Sequence, residues 1–174
     1  MYDYNKYRDI FYQIIGAAMD VHRDMGFGLD EPIYNECLSM ELHDRGVDNI
    51  PERKLPVFYK GRMLNKYYRT DILVGDVVVE LKSVKEIVPA HRAQLFNYLR
   101  LTKKPVGLLL NFGANKLQGE RYAYIEDINE CVLLDKNMNL LYEAIPDWEY
   151  DESYVNGDDE EDIDEVFRNY EDEP

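Results

Sequence analysis

Cysteine is nearly absent: Cys37 and Cys131 are the only two, far apart and without CxxC or Cys/His spacing. That argues against a structural zinc site or a disulfide framework, and both thiols are expected to be buried. Long apolar runs are missing too, since none approaches the roughly 18 to 20 residues that a membrane span needs. With the polar and charged opening Met1 to Arg8, the chain reads as cytosolic, with no membrane partner. Internal repeats are lacking. Bases are outnumbered, 20 Lys and Arg against 35 Asp and Glu for a net charge of −15, which looks hostile to nucleic-acid binding because duplex affinity rests on Lys and Arg at phosphates.

The excess acid is not spread evenly. Residues 145–174 hold fourteen Asp and Glu against the single Arg168, so the remaining 144 residues hold 21 acids and 19 bases and are nearly neutral. The residues present are those of a folded chain, 45% apolar and 13% aromatic, and 174 residues suffice for one well-buried core. The expected organisation is one domain over 1–145 and an acidic tail over 146–174, flexible or docked. Within the tail Ile163, Val166, Phe167 and Tyr170 fall at i, i+3, i+4, i+7, which leaves a short docking helix open.

Ile10, Ile14, Ala17 or Ala18 and Val21 recur at helical spacing between Tyr4 and Arg23, and Met25-Gly26-Phe27-Gly28 stops the pattern. Asp30 offers an N-cap and Pro32 suits the first turn of a second helix to about Arg45. Three β-rich runs follow: Lys54 to Tyr59, Tyr67 to Val74 after the turn Lys60-Gly61-Arg62, and Val77 to Lys82 after Gly75-Asp76. Short connections predict an antiparallel meander. Pro89 precedes a helix from about Ala90 to Leu101, a crossover to the apolar run Val106 to Leu110, which suits a strand covered on both faces. Tyr122 to Ile125 and Val132 to Leu134 read as short strands or a small helix.

Alternation in the third run puts Glu80 and Lys82 on one face and Val79 and Leu81 on the other. Pairing across the Gly75-Asp76 turn brings Asp71 within reach of Glu80. Two neighbouring carboxylates repel each other, and protonation or a divalent cation relieves the repulsion; an oxygen-only set suits Mg²⁺ or Mn²⁺. Such a cation can polarise a phosphate and activate a water, and Lys82 would add positive charge where negative charge develops. Read alone, an ExK triplet is equally the mark of an ordinary salt-bridged strand face.

Here the chain resembles the GxxExxY proteins, a bacterial and archaeal branch of the PD-(D/E)XK nuclease superfamily. Gly28, Glu31 and Tyr34 match the naming motif, and Asp71 followed by Glu80-Leu81-Lys82 matches the Asp and ExK elements. The match continues through Gln94, Tyr98-Leu99-Arg100 and Gly107 to Gly113, covering about residues 5 to 125. The resemblance implies an α/β, restriction-endonuclease-like core in which helices flank a mixed sheet. It also implies that Glu31 joins Asp71, Glu80 and the Leu81 carbonyl around Mg²⁺ or Mn²⁺, that Lys82 assists the attacking water, and that Gln94 and Tyr98 form a QxxxY element.

Gln94 and Tyr98 stand i, i+4 and share a helix face, so both can reach the site or a phosphate, or simply form a surface pair. Gly26 and Gly28 read as turn and cap glycines, Tyr34 as a packing residue with its hydroxyl near Glu31, His91 as incidental, and Asn111-Phe112-Gly113 as a tight structural turn. Arg92, Arg100, Lys103, Lys104, Lys116 and Arg121 are either phosphate contacts or a solvated face. The leading expectation is a Mg²⁺-dependent nuclease acting on DNA. The alternative is a nuclease-fold binding or regulatory protein without meaningful turnover, working through protein contacts, with the acidic tail as a handle for a protein partner. RNA or nucleotide cleavage also stays open, because the triad reads no sugar or base.

Overall fold

The computed structural model describes residues 3–141; the expectations for the acidic tail lie outside them. After one 3₁₀ turn at Asn5–Tyr7, helix α1 (Arg8–Met25) buries Phe11, Ile14, Ile15, Ala18 and Val21 along one stripe. It ends where Gly26, at φ +74°, donates its N–H to the His22 carbonyl. Helix α2 (Glu31–Asp44) starts at Glu31, with Pro32 in its first turn as the sequence suggests. Asp30 flanks it in an extended conformation, but its side chain makes no capping bond; its carbonyl accepts from Ile33 instead.

Then follow β1 (Ile50–Pro51), β2 (Lys54–Tyr59), β3 (Arg62–Arg69), β4 (Ile72–Val74), β5 (Val77–Lys82), α3 (Pro89–Thr102), β6 (Val106–Asn111), β7 (Gln118–Ile125) and β8 (Glu130–Leu134). Six strands form one mixed sheet in the order β1-β4-β5-β6-β7-β8. β5 and β6 are parallel, as the α3 crossover requires, and the other neighbours are antiparallel. The result is an α/β core with a mixed sheet flanked by helices.

The expected meander does not form. β2 and β3 make a separate two-stranded sheet, and β1 rather than β3 borders β4. The chain breaks at Thr70 and Asp71: Thr70 is buried and donates its N–H to the Arg53 carbonyl, and the Asp71 carbonyl accepts from Glu52. Burial explains the split, because β4 is Ile-Leu-Val and wholly buried whereas β3 is exposed at seven of its eight positions. β4 offers an unbroken aliphatic run to both faces of the main sheet, whereas β3 interleaves its apolar residues with Arg62, Asn65, Lys66 and Arg69; a fully buried aliphatic side chain contributes about 1.5–3 kcal/mol.

The two sheet faces have different cores. Ile72, Val74, Val79, Leu81, Leu108 and Leu110 pack with α1 and α2, whereas Leu73, Val78, Leu109 and Tyr122 pack with Leu95 and Leu99 of α3. Gly107 lets α3 seat low on the sheet, since a Cβ there would lie 2.8 Å from Leu95 Cδ1. Leu55 joins that second core and anchors the β2–β3 hairpin to the α3 side. The cysteines are free and only half-buried, not interior as expected: Cys37 lies on the flank of α2 and Cys131 on the edge strand β8. Burial still pushes the Cys131 thiol up to about 12. No helix among the described residues is long and apolar enough to cross a membrane.

Candidate active site

Every residue of β5 is buried, with Val79 and Leu81 held in the α1/α2 core, so Glu80 and Lys82 must project into the opposite, α3-covered side. Both are enclosed, at 2% and 6% exposure. Lys82 Nζ donates to Glu80 Oε1 at 2.8 Å, and Glu80 Oε2 is buried without a hydrogen-bond partner. A buried acceptor with no partner costs free energy, which a bound cation or a proton would offset.

Asp71 sits just before β4, and continuing the Ile72↔Val79 register sets it opposite Glu80. Its Oδ2 accepts the Leu81 N–H at 2.6 Å. A strand residue sends its N–H and C=O to the same edge, so the Leu81 carbonyl also faces the Asp71 side. Its side chain lies in the core behind.

The charges are mutually strained. Burial, then the charge of Asp71, pushes the Glu80 carboxyl up to about 7 despite the Lys82 ammonium. Burial likewise raises Asp71, opposed by the Leu81 N–H bond and by Lys82. For Lys82 burial disfavours the charge, but the bond to Glu80 and the nearby Glu31 and Asp71 outweigh it, so its pKa is raised. The pairing favours the charged forms of lysine and carboxylates alike, but burial outweighs it for the carboxylates and not for the lysine. Desolvation of Glu80 decides the balance.

Glu31 opens α2, and its charge reaches Asp71, Glu80 and Lys82. Its Oε1 accepts the Ser83 N–H at a long 3.4 Å. Tyr34 sets the approach: its hydroxyl donates to the Gly26 carbonyl and accepts from the Leu29 N–H, and its ring stacks on Phe112 at 4.5 Å. The hydroxyl thus ties the 26–29 loop. Glu31 stands beside the Asp71/Glu80 pair without closing on it, and among the described residues no three Asp, Glu, His or Cys side chains converge on one point. Two carboxylates, one with an orphaned buried oxygen, nevertheless suit a hard divalent cation, with waters filling the remaining positions.

From the α3 side Gln94 Nε2 donates to the Tyr98 hydroxyl at 2.9 Å. Tyr98 is buried, so the pair is no surface decoration, and burial together with the charges of Glu80 and Asp71 raises its phenol pKa. Its ring meets Tyr68 of β3 edge-on at 4.9 Å. His91 Nδ1 accepts the Val88 N–H at the start of α3, and burial and Lys82 keep its imidazole below the usual range. Beyond β5, Asn111 Oδ1 accepts from the Val84 and Gly113 amides and its Nδ2 donates to the Val84 carbonyl, which fixes the loop after Lys82. A Cβ on Gly113 would lie 2.2 Å from Val84 N, so only glycine fits there.

Arg92 is neither a phosphate contact nor part of a solvated face. It is buried and donates from Nε and Nη2 to the two oxygens of Glu120 at 2.9 and 2.8 Å, and Tyr122 donates to the same carboxylate at 2.7 Å. Glu120 belongs to no motif and stands between Gly119 and Arg121, so no pattern in the sequence marks it as buried. Arg121 is buried as well. Lys103 bonds Tyr124 and Glu126, Lys104 bonds Asp76, Arg100 bonds Asn97, and Lys116 is exposed.

A family model described as the PD-(D/E)XK nuclease superfamily matches residues 8–122. No curated protein matches the chain. Among solved structures, the crystal structure of SSO0001 aligns at a TM-score of 0.43 and 16% identity, over 67% of this chain and 58% of that one. The chain therefore spans less than two thirds of that protein's length, and a likeness this loose carries no functional weight.

Proposed function

The chain belongs to the PD-(D/E)XK nuclease superfamily, and from that premise we propose that it is a Mg²⁺- or Mn²⁺-dependent nuclease of the GxxExxY branch that hydrolyses phosphodiester bonds in DNA. The observation that carries this reading is Glu80, enclosed beside Asp71 with one oxygen on Lys82 and the other without a partner. An ordinary salt-bridged strand face would be solvated.

Asp71, Glu80 and the Leu81 carbonyl are the groups that would hold the cation, with Glu31 close enough to add charge. A bound Mg²⁺ or Mn²⁺ supplies Lewis-acid charge at the phosphate and makes a water more acidic. Lys82, with its ammonium fixed by Glu80, places a preorganised positive charge where the phosphorane oxygens develop theirs. Gln94 and Tyr98 present an amide and a phenol from α3 to a substrate phosphate. The cleft walls of β5 and α3 exclude bulk water, which strengthens each of these interactions.

One observation favours a second reading: Glu31 does not close on the pair, and Lys82 is engaged by Glu80. A nuclease-fold binding protein without turnover would tolerate that arrangement. Incubating labelled linear duplex, circular duplex and single-stranded DNA with Mg²⁺, Mn²⁺ or EDTA separates the two. Cation-dependent cleavage abolished by Glu80→Gln supports the nuclease; binding without cleavage under every condition selects the binder.

A further inference from the structure

The β2–β3 hairpin has no part in the proposed chemistry, yet its composition contradicts the rest of the chain. Residues 53–70 hold Arg53, Lys54, Lys60, Arg62, Lys66 and Arg69 and not one Asp or Glu, a local charge of +6 in a protein of −15. All six bases are exposed. Among the described residues just one of them, Arg69, has an ion pair, with Glu52 at 3.6 Å. Elsewhere exposed bases such as Arg23, Arg45 and Lys103 sit against carboxylates.

Aromatic rings interleave these charges. Phe58, Tyr59 and Tyr67 are 53%, 63% and 49% exposed, and Met63 extends the apolar area. Lys54 lies over the Tyr67 ring at 4.6 Å and Lys60 over Tyr59 at 5.5 Å. Lys60 and Gly61 at the tip both have positive φ, 49° and 73°. A two-residue turn of that kind favours Asn, Asp or Gly at its first position, so lysine there carries a charge to the tip at a conformational cost.

Such a surface suits an anionic partner with flat apolar groups. Single-stranded nucleic acid supplies both, phosphates for the bases and free base faces for the rings, whereas a duplex hides its base faces in the stack. Position favours a nucleic acid over an anionic membrane. β3 runs into Thr70 and Asp71, and Tyr68 on its inner side packs against Tyr98 of α3, so the surface leads to the carboxylate site.

We infer that the exposed surface of the β2–β3 hairpin, both faces at its Lys60-Gly61 tip and the Lys54/Tyr67 side along β3, is the docking surface for single-stranded nucleic acid and feeds the strand towards Asp71 and Glu80. The inference rests on the nuclease reading for the direction of feeding, but docking itself is measurable without turnover. The test is anisotropy of a labelled single-stranded oligonucleotide with the full chain in EDTA, across a salt series, beside the matching duplex and phosphatidylserine vesicles.

Removing two phosphate contacts in K60Q/R62Q should flatten the slope of log K against log salt by about 1.4. F58A/Y59A should weaken binding at least about fivefold, the lower end of what stacking contributes. K6Q, off the hairpin, should change neither, and melting curves of all variants should match the wild type because the altered side chains are exposed. Wild-type binding by both hairpin variants, a duplex preferred over the single strand, or loss of vesicle binding alone overturns the inference. Hairpin-dependent binding without any cleavage leaves docking intact and removes the nuclease reading. Cleavage that ignores the hairpin variants does the reverse.

Discussion

Lys82 Nζ lies 2.8 Å from Glu80 Oε1 in a space that is closed to solvent, while the second Glu80 oxygen has no partner. The pair is therefore half-satisfied, and its protonation bears on stability. Glu80 ionises near pH 4.5 in an unfolded chain but at about 7 in the fold. Between those values the unfolded chain releases a proton that the folded protein keeps. Stability consequently falls as pH rises from about 4.5 to 7 and stays low above that. Asp71, raised in the same direction, adds to the fall.

In EDTA, then, the melting temperature of Glu80→Gln minus that of the wild type should grow between pH 5 and pH 8. Comparing variant with wild type removes the general repulsion of an acidic chain. A gain of roughly 2–4 °C or more at pH 8 is what about 1 kcal/mol produces in a chain of this size. A difference that is flat across the range would mean that Glu80 ionises normally.

Metal binding should depend on both carboxylates. Titration calorimetry with Mg²⁺ or Mn²⁺ should give heat for the wild type and none for Asp71→Ala or Glu80→Ala, with the fold retained in each by circular dichroism. Asp71→Ala also frees the Leu81 N–H and Glu80→Ala leaves the Lys82 ammonium buried without its partner, so each variant should lose some stability while keeping its fold. Wild-type metal affinity in either variant would remove that residue from the shell.

Lys82→Ala should lower cleavage at least about 10²-fold with little change in metal affinity, the loss expected for one preorganised charge at a transition state. Lys82→Arg should not restore the rate, because a planar guanidinium cannot take the place of a compact ammonium 2.8 Å from Glu80 Oε1. Single-turnover kinetics on saturating substrate read this directly. Equal rates in Lys82→Ala and wild type would end the assignment.

Much of this site was legible because strand alternation alone sets Glu80 and Lys82 on one face and Val79 and Leu81 on the other. Helix spacing likewise joins Gln94 to Tyr98. The split of the meander was not legible, since it depends on which strand has apolar area to bury, and Thr70 with Asp71 reads as β-rich sequence rather than as a break. Arg92 was misread for a related reason. Its partner Glu120 is 28 residues away, and no local pattern reports a pairing between helix α3 and strand β7.

The Arg92–Glu120 pair should hold α3 over the sheet. Breaking a buried ion pair by removing one partner costs about 3–5 kcal/mol, because the other charge stays buried and uncompensated. Arg92→Ala and Glu120→Ala should each destabilise by that order, and the double variant by clearly less than their sum. Urea unfolding of the four proteins gives the coupling energy. Strict additivity would show that the bidentate contact contributes no specific stability.

The acidic tail is the counterpart of the basic hairpin. Residues 145–174 carry −13 against the hairpin's +6, and a tethered polyanion of that charge would compete with a phosphate backbone for the same lysines and arginines. We expect a 1–145 protein to fold and to bind DNA more tightly than the full chain. The advantage should shrink as salt rises, because screening with a Debye length of about 8 Å at physiological ionic strength weakens both the attraction and the competition. K60Q/R62Q in the full chain should shrink it too, since those bases are what tail and strand would share. Two other roles give different results. A tail that serves only solubility leaves DNA affinity unchanged, and one whose Ile163, Val166, Phe167 and Tyr170 stripe packs on the body lowers the melting temperature when removed. Binding isotherms at two salt concentrations and melting curves, with and without residues 146–174, therefore tell competition, solubility and docking apart.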